Sequence, residues 1–133
     1  MDETQAQVSS PRTVLIAEDE PLLGNLLRQR LERENFKVML ARDGEEALKT
    51  LRETTPNLIL LDIILPKLSG FELMEKINSD PTLASNKAPI VIISNLGQES
   101  DVERGQTLGA IGYFVKAQLS IEDLVNKVKE FFA

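Results

Sequence analysis

The chain contains no cysteine and no histidine among its 133 residues. That inventory excludes a cysteine nucleophile, a zinc site built on Cys and His, and a histidine-based triad. It also removes any sign of an oxidising compartment. No apolar run approaches the ~20 residues of a membrane span. The polar stretch from Met1 to Arg12 lacks the apolar core of a signal peptide. Positive charge is scarce: 15 Lys and Arg face 21 Asp and Glu, for a net charge of −6. Nonspecific nucleic-acid binding depends on cations that neutralise phosphates. Arg28, Arg30 and Arg33 lie close together, but they share their segment with Glu32 and Glu34, as on a solvated helix face. The expectation is a cytoplasmic domain with no membrane insertion and no direct nucleic-acid partner.

What is present suits one domain. A chain of this length buries roughly two thirds of its unfolded surface, so it needs neither a disulfide nor a structural metal. Residues 1–12 read as a flexible tail and residues 13–133 as the folded domain. Short β-branched runs alternate with longer segments of helical spacing. The strands are expected at about 13–18, 36–41, 58–61, 89–93 and 111–115. The first helix follows Glu20-Pro21, with Pro near its first turn and Leu22, Leu23, Leu26, Leu27 and Leu31 as its apolar face. The second buries Ala47, Leu48 and Leu51, and the third buries Phe71, Leu73, Met74 and Ile77. The fourth, about 98–108, is poor in apolar residues and carries Gly105, which costs about 1 kcal/mol relative to Ala. It is expected to be the least stable helix. The fifth opens with Ser120 and Asp123 at capping-box spacing.

Buried parallel strands joined by helices imply an α/β fold with helices on both faces. Lys37 interrupts the second strand and marks it as an edge. With right-handed crossovers the expected fold is flavodoxin-like: a five-stranded parallel sheet of order 2-1-3-4-5. Ligands in such sheets bind beyond the carboxyl ends of the strands.

The runs stop at chemically useful residues. Val14–Ala17 ends at Glu18-Asp19, Leu58–Leu61 at Asp62, Ile90–Ile93 at Ser94, and Tyr113–Val115 at Lys116. Taken singly, each reads as a helix-capping acid, a turn serine or a solvated lysine. Together on one sheet edge they form a pocket for a divalent cation and a phosphoryl group. Three crowded carboxylates raise one another's pKa unless a cation intervenes, and magnesium prefers such oxygen ligands. Asp62 can attack phosphorus to form an acyl phosphate, with Lys116 and Ser94 meeting phosphoryl oxygens. This reading requires Asp62 to be open to solvent. The Glu18-Asp19-Glu20 loop would repel a flavin phosphate, and no P-loop is present. Ile64 stands where haloacid-dehalogenase-type phosphatases carry a second aspartate.

The ordered set of Glu18-Asp19, Leu61-Asp62, Leu65-Pro66, Ser69-Gly70-Phe71-Glu72, Ser94, Leu108-Gly109-Ala110 and Tyr113-Phe114-Val115-Lys116 resembles the receiver domains of bacterial response regulators. The resemblance covers about residues 12–133. It implies that Asp62 is the phosphoacceptor. Asp19, Asp62 and the Ile64 carbonyl would hold Mg2+ directly, with Glu18 acting through water. Ser94 would swing toward the phosphoryl group and Tyr113 would follow inward, altering the surface of helix four, strand five and helix five. The implied partners are a sensor histidine kinase or histidine phosphotransfer domain and a downstream protein. The chain is expected to be a monomer, with dimerisation on phosphorylation left open, and a signalling switch rather than an enzyme. A receiver-like module that signals without phosphate and a magnesium-dependent aspartyl phosphatase are the alternatives. Two positions depart from the receiver pattern. Asn95 replaces a small residue and would narrow the pocket or bond the phosphoryl group. Ala117 replaces a proline, so the Lys116–Ala117 bond is expected to be trans and the loop after it reshaped. Ile64 and Leu96 place apolar groups near the route of attacking water.

Overall fold

Strands that bury side chains on both faces must be covered on both faces, and three segments of this chain do so. The computed structural model describes residues 12–85 and 87–133. In it β1 (Thr13–Ala17), β3 (Leu58–Leu61) and β4 (Ile90–Ser94) are buried almost throughout. β2 (Lys37–Ala41) and β5 (Gly112–Val115) are only half-buried and form the two edges. All pairings are parallel, in the order β2-β1-β3-β4-β5.

Four helices cross between the strands, α1 (Pro21–Arg33), α2 (Gly44–Glu53), α3 (Gly70–Ser79) and α4 (Glu99–Thr107), and a fifth, α5 (Ile121–Phe132), follows β5. A single turn at Pro81–Ala84 and a 3-10 turn at Lys116–Gln118 complete the described residues. Local chemistry sets the helix starts. Asp43 caps α2, and reciprocal capping boxes open α3 at Ser69 and Glu72 and α5 at Ser120 and Asp123. One face of the sheet packs on Ala47 of α2 and on Leu73, Met74 and Ile77 of α3, with Tyr113 joining that cluster. The other packs on Leu27 and Leu31 of α1 and on Leu124, Val125 and Val128 of α5, with Phe114 joining it. Each fully buried Leu stabilises by about 1.5–3 kcal/mol relative to exposure, so these stripes fasten the helices to the sheet.

Several expected boundaries move. Strands one, two and five each lose a terminal residue, whereas Ser94 becomes the last residue of β4. Gln98 and Leu108 are the caps of α4, not members of it. The apolar face assigned to α1 is too wide: Leu22 is 74% exposed and Leu26 is 38% exposed. The stripe Leu23, Leu27 and Leu31, at steps of four, faces the sheet, and Leu22 and Leu26 fall a step around the helix. Arg12 is tied into the fold, its carbonyl accepting from Lys37 N–H at 2.8 Å. The rest of the expected tail, residues 1–11, lies outside the described residues. Among those residues no helix is long and apolar enough to cross a membrane.

Candidate functional site

β1 and β3 pair with Ala17 opposite Leu61, so Glu18 and Asp62 leave the two neighbouring strands side by side at the next rung. The Asp62 N–H closes that junction by donating to the Ala17 carbonyl at 3.0 Å. Gly70 lets α3 start close to the same strand end. A Cβ there would lie 2.5 Å from the Asp62 carbonyl oxygen. Its own N–H donates to the Ile63 carbonyl at 2.8 Å, which fixes the loop that follows Asp62.

The structure brings Glu18, Asp19, Asp62 and Lys116 together. Glu18, Asp19 and Asp62 each offer a carboxylate oxygen within 4.8 Å of the others. Lys116 Nζ lies 2.7 Å from Glu18 Oε1 and 2.7 Å from Asp62 Oδ2. Asp62 Oδ1 accepts from the Ile64 N–H at 3.1 Å. Glu18 Oε2 accepts from the Glu20 N–H at 3.0 Å. Glu18 Oε1 is buried and, beyond its ion pair with Lys116, accepts no hydrogen bond.

Burial pushes the Glu18 carboxyl above the usual carboxylate range, aided by the charge of Asp62 and opposed by Lys116 and the Glu20 N–H. Burial pulls the other way on Lys116. Its bonds to Asp62 and Glu18 outweigh that, and its pKa is raised. The ammonium therefore stays charged. Three carboxylates share one ammonium, which leaves an acidic, all-oxygen donor set in which the carboxylates outnumber the cation. Such a set suits a hard divalent cation.

The remaining expected residues are placed less simply. Asp62 is not open to solvent. It is 3% exposed, because Lys116 covers one oxygen and the Ile64 amide engages the other. Ser94 is buried, and its Oγ accepts from the Leu96 N–H at 3.3 Å, with no hydrogen bond to Asp62. Tyr113, expected to turn inward on phosphorylation, is half-buried. Its ring packs against Gly105, and its hydroxyl donates to the Leu96 carbonyl. The Ile64 side chain is 56% exposed, and it is this residue's amide that reaches the site. Asn95 is exposed and reaches the segment after Lys116. Its Oδ1 accepts from the Ala117 N–H at 3.0 Å. All peptide bonds among the described residues are trans, and the loop after Lys116 is a 3-10 turn. The Glu20 and Ile64 amides and the Asn95–Ala117 bond carry no sequence signal, because backbone donors look alike in any sequence.

A family model for the response regulator receiver domain matches residues 14–129. The chain is 38% identical over 116 residues to the phosphate regulon transcriptional regulatory protein PhoB of Rhizobium meliloti, covering 87% of this chain and 50% of that protein. It is 35% identical over 127 residues to the transcriptional regulatory protein PdtaR of Mycobacterium tuberculosis, covering 95% of this chain and 59% of that one. The chain spans less than two thirds of the length of these curated relatives. Its fold superposes on a CheY-like receiver domain protein from Methanospirillum hungatei with a TM-score of 0.79 and 28% identity, over 91% of this chain and 93% of that one. With the strand order, the acidic edge and these matches in agreement, the chain belongs to the response regulator receiver domains of two-component signalling.

Proposed function

We propose that this domain is the phosphoacceptor of a phosphorelay, with Asp62 taking a phosphoryl group from a phosphohistidine on a sensor kinase or phosphotransfer domain. The observation that carries this reading is the Lys116 bridge: one ammonium, 2.7 Å from each of two buried carboxylates. An Asp62 oxygen attacks phosphorus, the new O–P bond forms as the P–N bond breaks, and the imidazole nitrogen keeps the electron pair. Phosphoryl transfer needs mainly positioning and charge stabilisation. Lys116 exchanges its contact with Asp62 Oδ2 for one with a phosphoryl oxygen, which uncovers the nucleophile as the donor arrives. Asp19, Asp62 and the Ile64 carbonyl would hold Mg2+, with Glu18 acting through water. When bound, the ion neutralises charge on the transferring group.

Ser94 is the switch residue in this reading. To reach the phosphoryl group its hydroxyl gives up the Leu96 N–H. Leu96 also holds the Tyr113 hydroxyl, so the movement passes to α4, β5 and α5. That surface meets the downstream protein. The domain works as a switch that assists only its own modification.

The test is incubation with acetyl phosphate and Mg2+ followed by intact-mass measurement of the native chain and Asp62→Asn. A gain of one phosphate in the native chain alone is expected. Continued phosphate release from added monoesters would instead indicate a phosphatase. The burial of Asp62 favours one second reading, a receiver-like module that signals without phosphate. Absence of mass gain in both proteins selects it.

A further inference from the structure

The β4–β5 ladder ends with Ser94 opposite Val115, so the next rung would set Asn95 beside Lys116. No backbone pairing is made there. The chain instead leaves β5 into the three-residue turn Lys116–Gln118. β5 is an edge strand and only half-buried, so Lys116 sits where the backbone has least support. One side-chain bond supplies what the ladder lacks: Asn95 Oδ1 accepts the Ala117 N–H at 3.0 Å. Lys116 is thereby held on both sides, by the Val115 rung before it and by Asn95 after it. Its side chain is 11% exposed and must span two carboxylates at 2.7 Å each. Such a bridge tolerates little movement of the backbone that carries it.

We propose that Asn95 is a positioning residue for Lys116: its carboxamide fixes the Ala117 backbone and so keeps the ammonium seated between Glu18 and Asp62. The effect on phosphoryl transfer rests on the phosphoacceptor reading above, whereas the placement of Lys116 does not. Asn95 and Ala117 are the two positions that depart from the receiver pattern, and here they are bonded to each other. The same carboxamide joins the Ser94–Leu96 segment to the Lys116 turn, so the hydroxyl and the ammonium share one frame.

The experiment compares the native chain with Asn95→Ala and Asn95→Asp, the latter keeping an acceptor oxygen. Lys116 is acetylated with limiting N-hydroxysuccinimidyl acetate in the absence of metal and followed by peptide mass. Amide exchange is read residue by residue through β4 and β5. In Asn95→Ala, Lys116 acetylation and Ala117 exchange are both expected to rise about 2- to 10-fold, the range a single lost hydrogen bond gives. Asn95→Asp should restore slow exchange at Ala117. Labelling by acetyl phosphate with Mg2+ should slow in Asn95→Ala by a similar factor. Unchanged Lys116 acetylation in Asn95→Ala overturns the proposal. So does a uniform rise of exchange through β4 and β5, which is general loosening, or an Asn95→Asp exchange rate no slower than that of Asn95→Ala. Equal labelling of native chain and Asn95→Ala overturns the part in transfer. If the native chain takes no phosphate, the phosphoacceptor reading falls and acetylation still decides the role of Asn95.

Discussion

The ring of Tyr113 lies so close to Gly105 that a Cβ on the glycine would come 3.2 Å from Tyr113 Cδ2 and 2.7 Å from Ile92 Cδ1. A position that weakens α4 by propensity is thus the position that admits the ring.

Gly105→Ala sets two effects against each other. Alanine favours the helix by about 1 kcal/mol, while overpacking a filled site costs about 1–3 kcal/mol. The buried Ile92 leaves little room, so the variant should lose about 1 kcal/mol of stability in urea unfolding. Tyr113 is the only tyrosine and there is no tryptophan, so intrinsic emission should report displacement of this one ring. An unchanged midpoint with unchanged emission would count against the packing argument.

Lys116→Met leaves Glu18 and Asp62 facing each other in a buried pocket without their shared cation. Removing one partner of a buried ionic group typically costs about 3–5 kcal/mol. A loss near the lower end is expected at pH 7. Acidification toward pH 5 should return part of it, since burial already favours the protonated form of Glu18. Equal urea midpoints for variant and native chain would show that the bridge contributes no stability.

Magnesium should raise the unfolding midpoint of the native chain. At one hundred times its dissociation constant a ligand that binds only the folded state adds about 2.7 kcal/mol. Asp19→Asn and Asp62→Asn should each remove most of that shift, while Glu99→Gln, outside the acidic cluster, should leave it intact. Retention of the full shift in both site variants would remove the cation from this pocket.

Acid should weaken the helix caps. Glu72 and Asp123 are held below the usual carboxylate range, first by the N–H groups of Ser69 and Ser120 and then by their hydroxyls. Asp80 is lowered first by the Thr82 hydroxyl and then by its N–H. A depressed folded pKa gives stability that is full above the unfolded value and lost as pH falls through the folded one. The decline should therefore begin below the ordinary values of 4.5 for Glu72 and 3.8 for the two aspartates. Glu72→Gln and Asp123→Asn should flatten the curve of urea midpoint against pH in that window.

The lifetime of the acyl phosphate should depend on Ile64 more than on Leu96. Ile64 is exposed beside the site, whereas Leu96 packs against the core cluster of α2 and α3. Ile64→Asn should shorten the half-life of the labelled chain, measured by loss of the phosphate mass, and Leu96→Asn should shorten it less. The opposite order would place the water route on the Leu96 side.

The sheet was legible in the sequence because its central strands are apolar on both faces, a pattern that amphipathic helices do not share. The acidic edge was legible because Glu18, Asp19 and Asp62 break those runs abruptly. The face of α1 was not, since five leucines at three- and four-residue steps admit more than one stripe. The glycine of α4 read as a weakness because propensity carries no information about Ile92 or Tyr113. The cover over Asp62 was hidden for a related reason: the sequence marks Lys116 as a cation, but no residue spacing says that it bridges two carboxylates in the resting state. The bond from Asn95 to the Ala117 amide depends on a loop path that local sequence does not encode.

Successive residues of a strand point to opposite sides, and β5 spends that alternation on Tyr113 and Phe114. One ring joins the layer of α2 and α3, the other the layer of α1 and α5. A slide of this border strand that dislodges the first ring also tugs on the second. On the phosphoacceptor reading, a change at the acidic edge would have two exits, back and front, and a partner resting on either flank of the molecule would meet it.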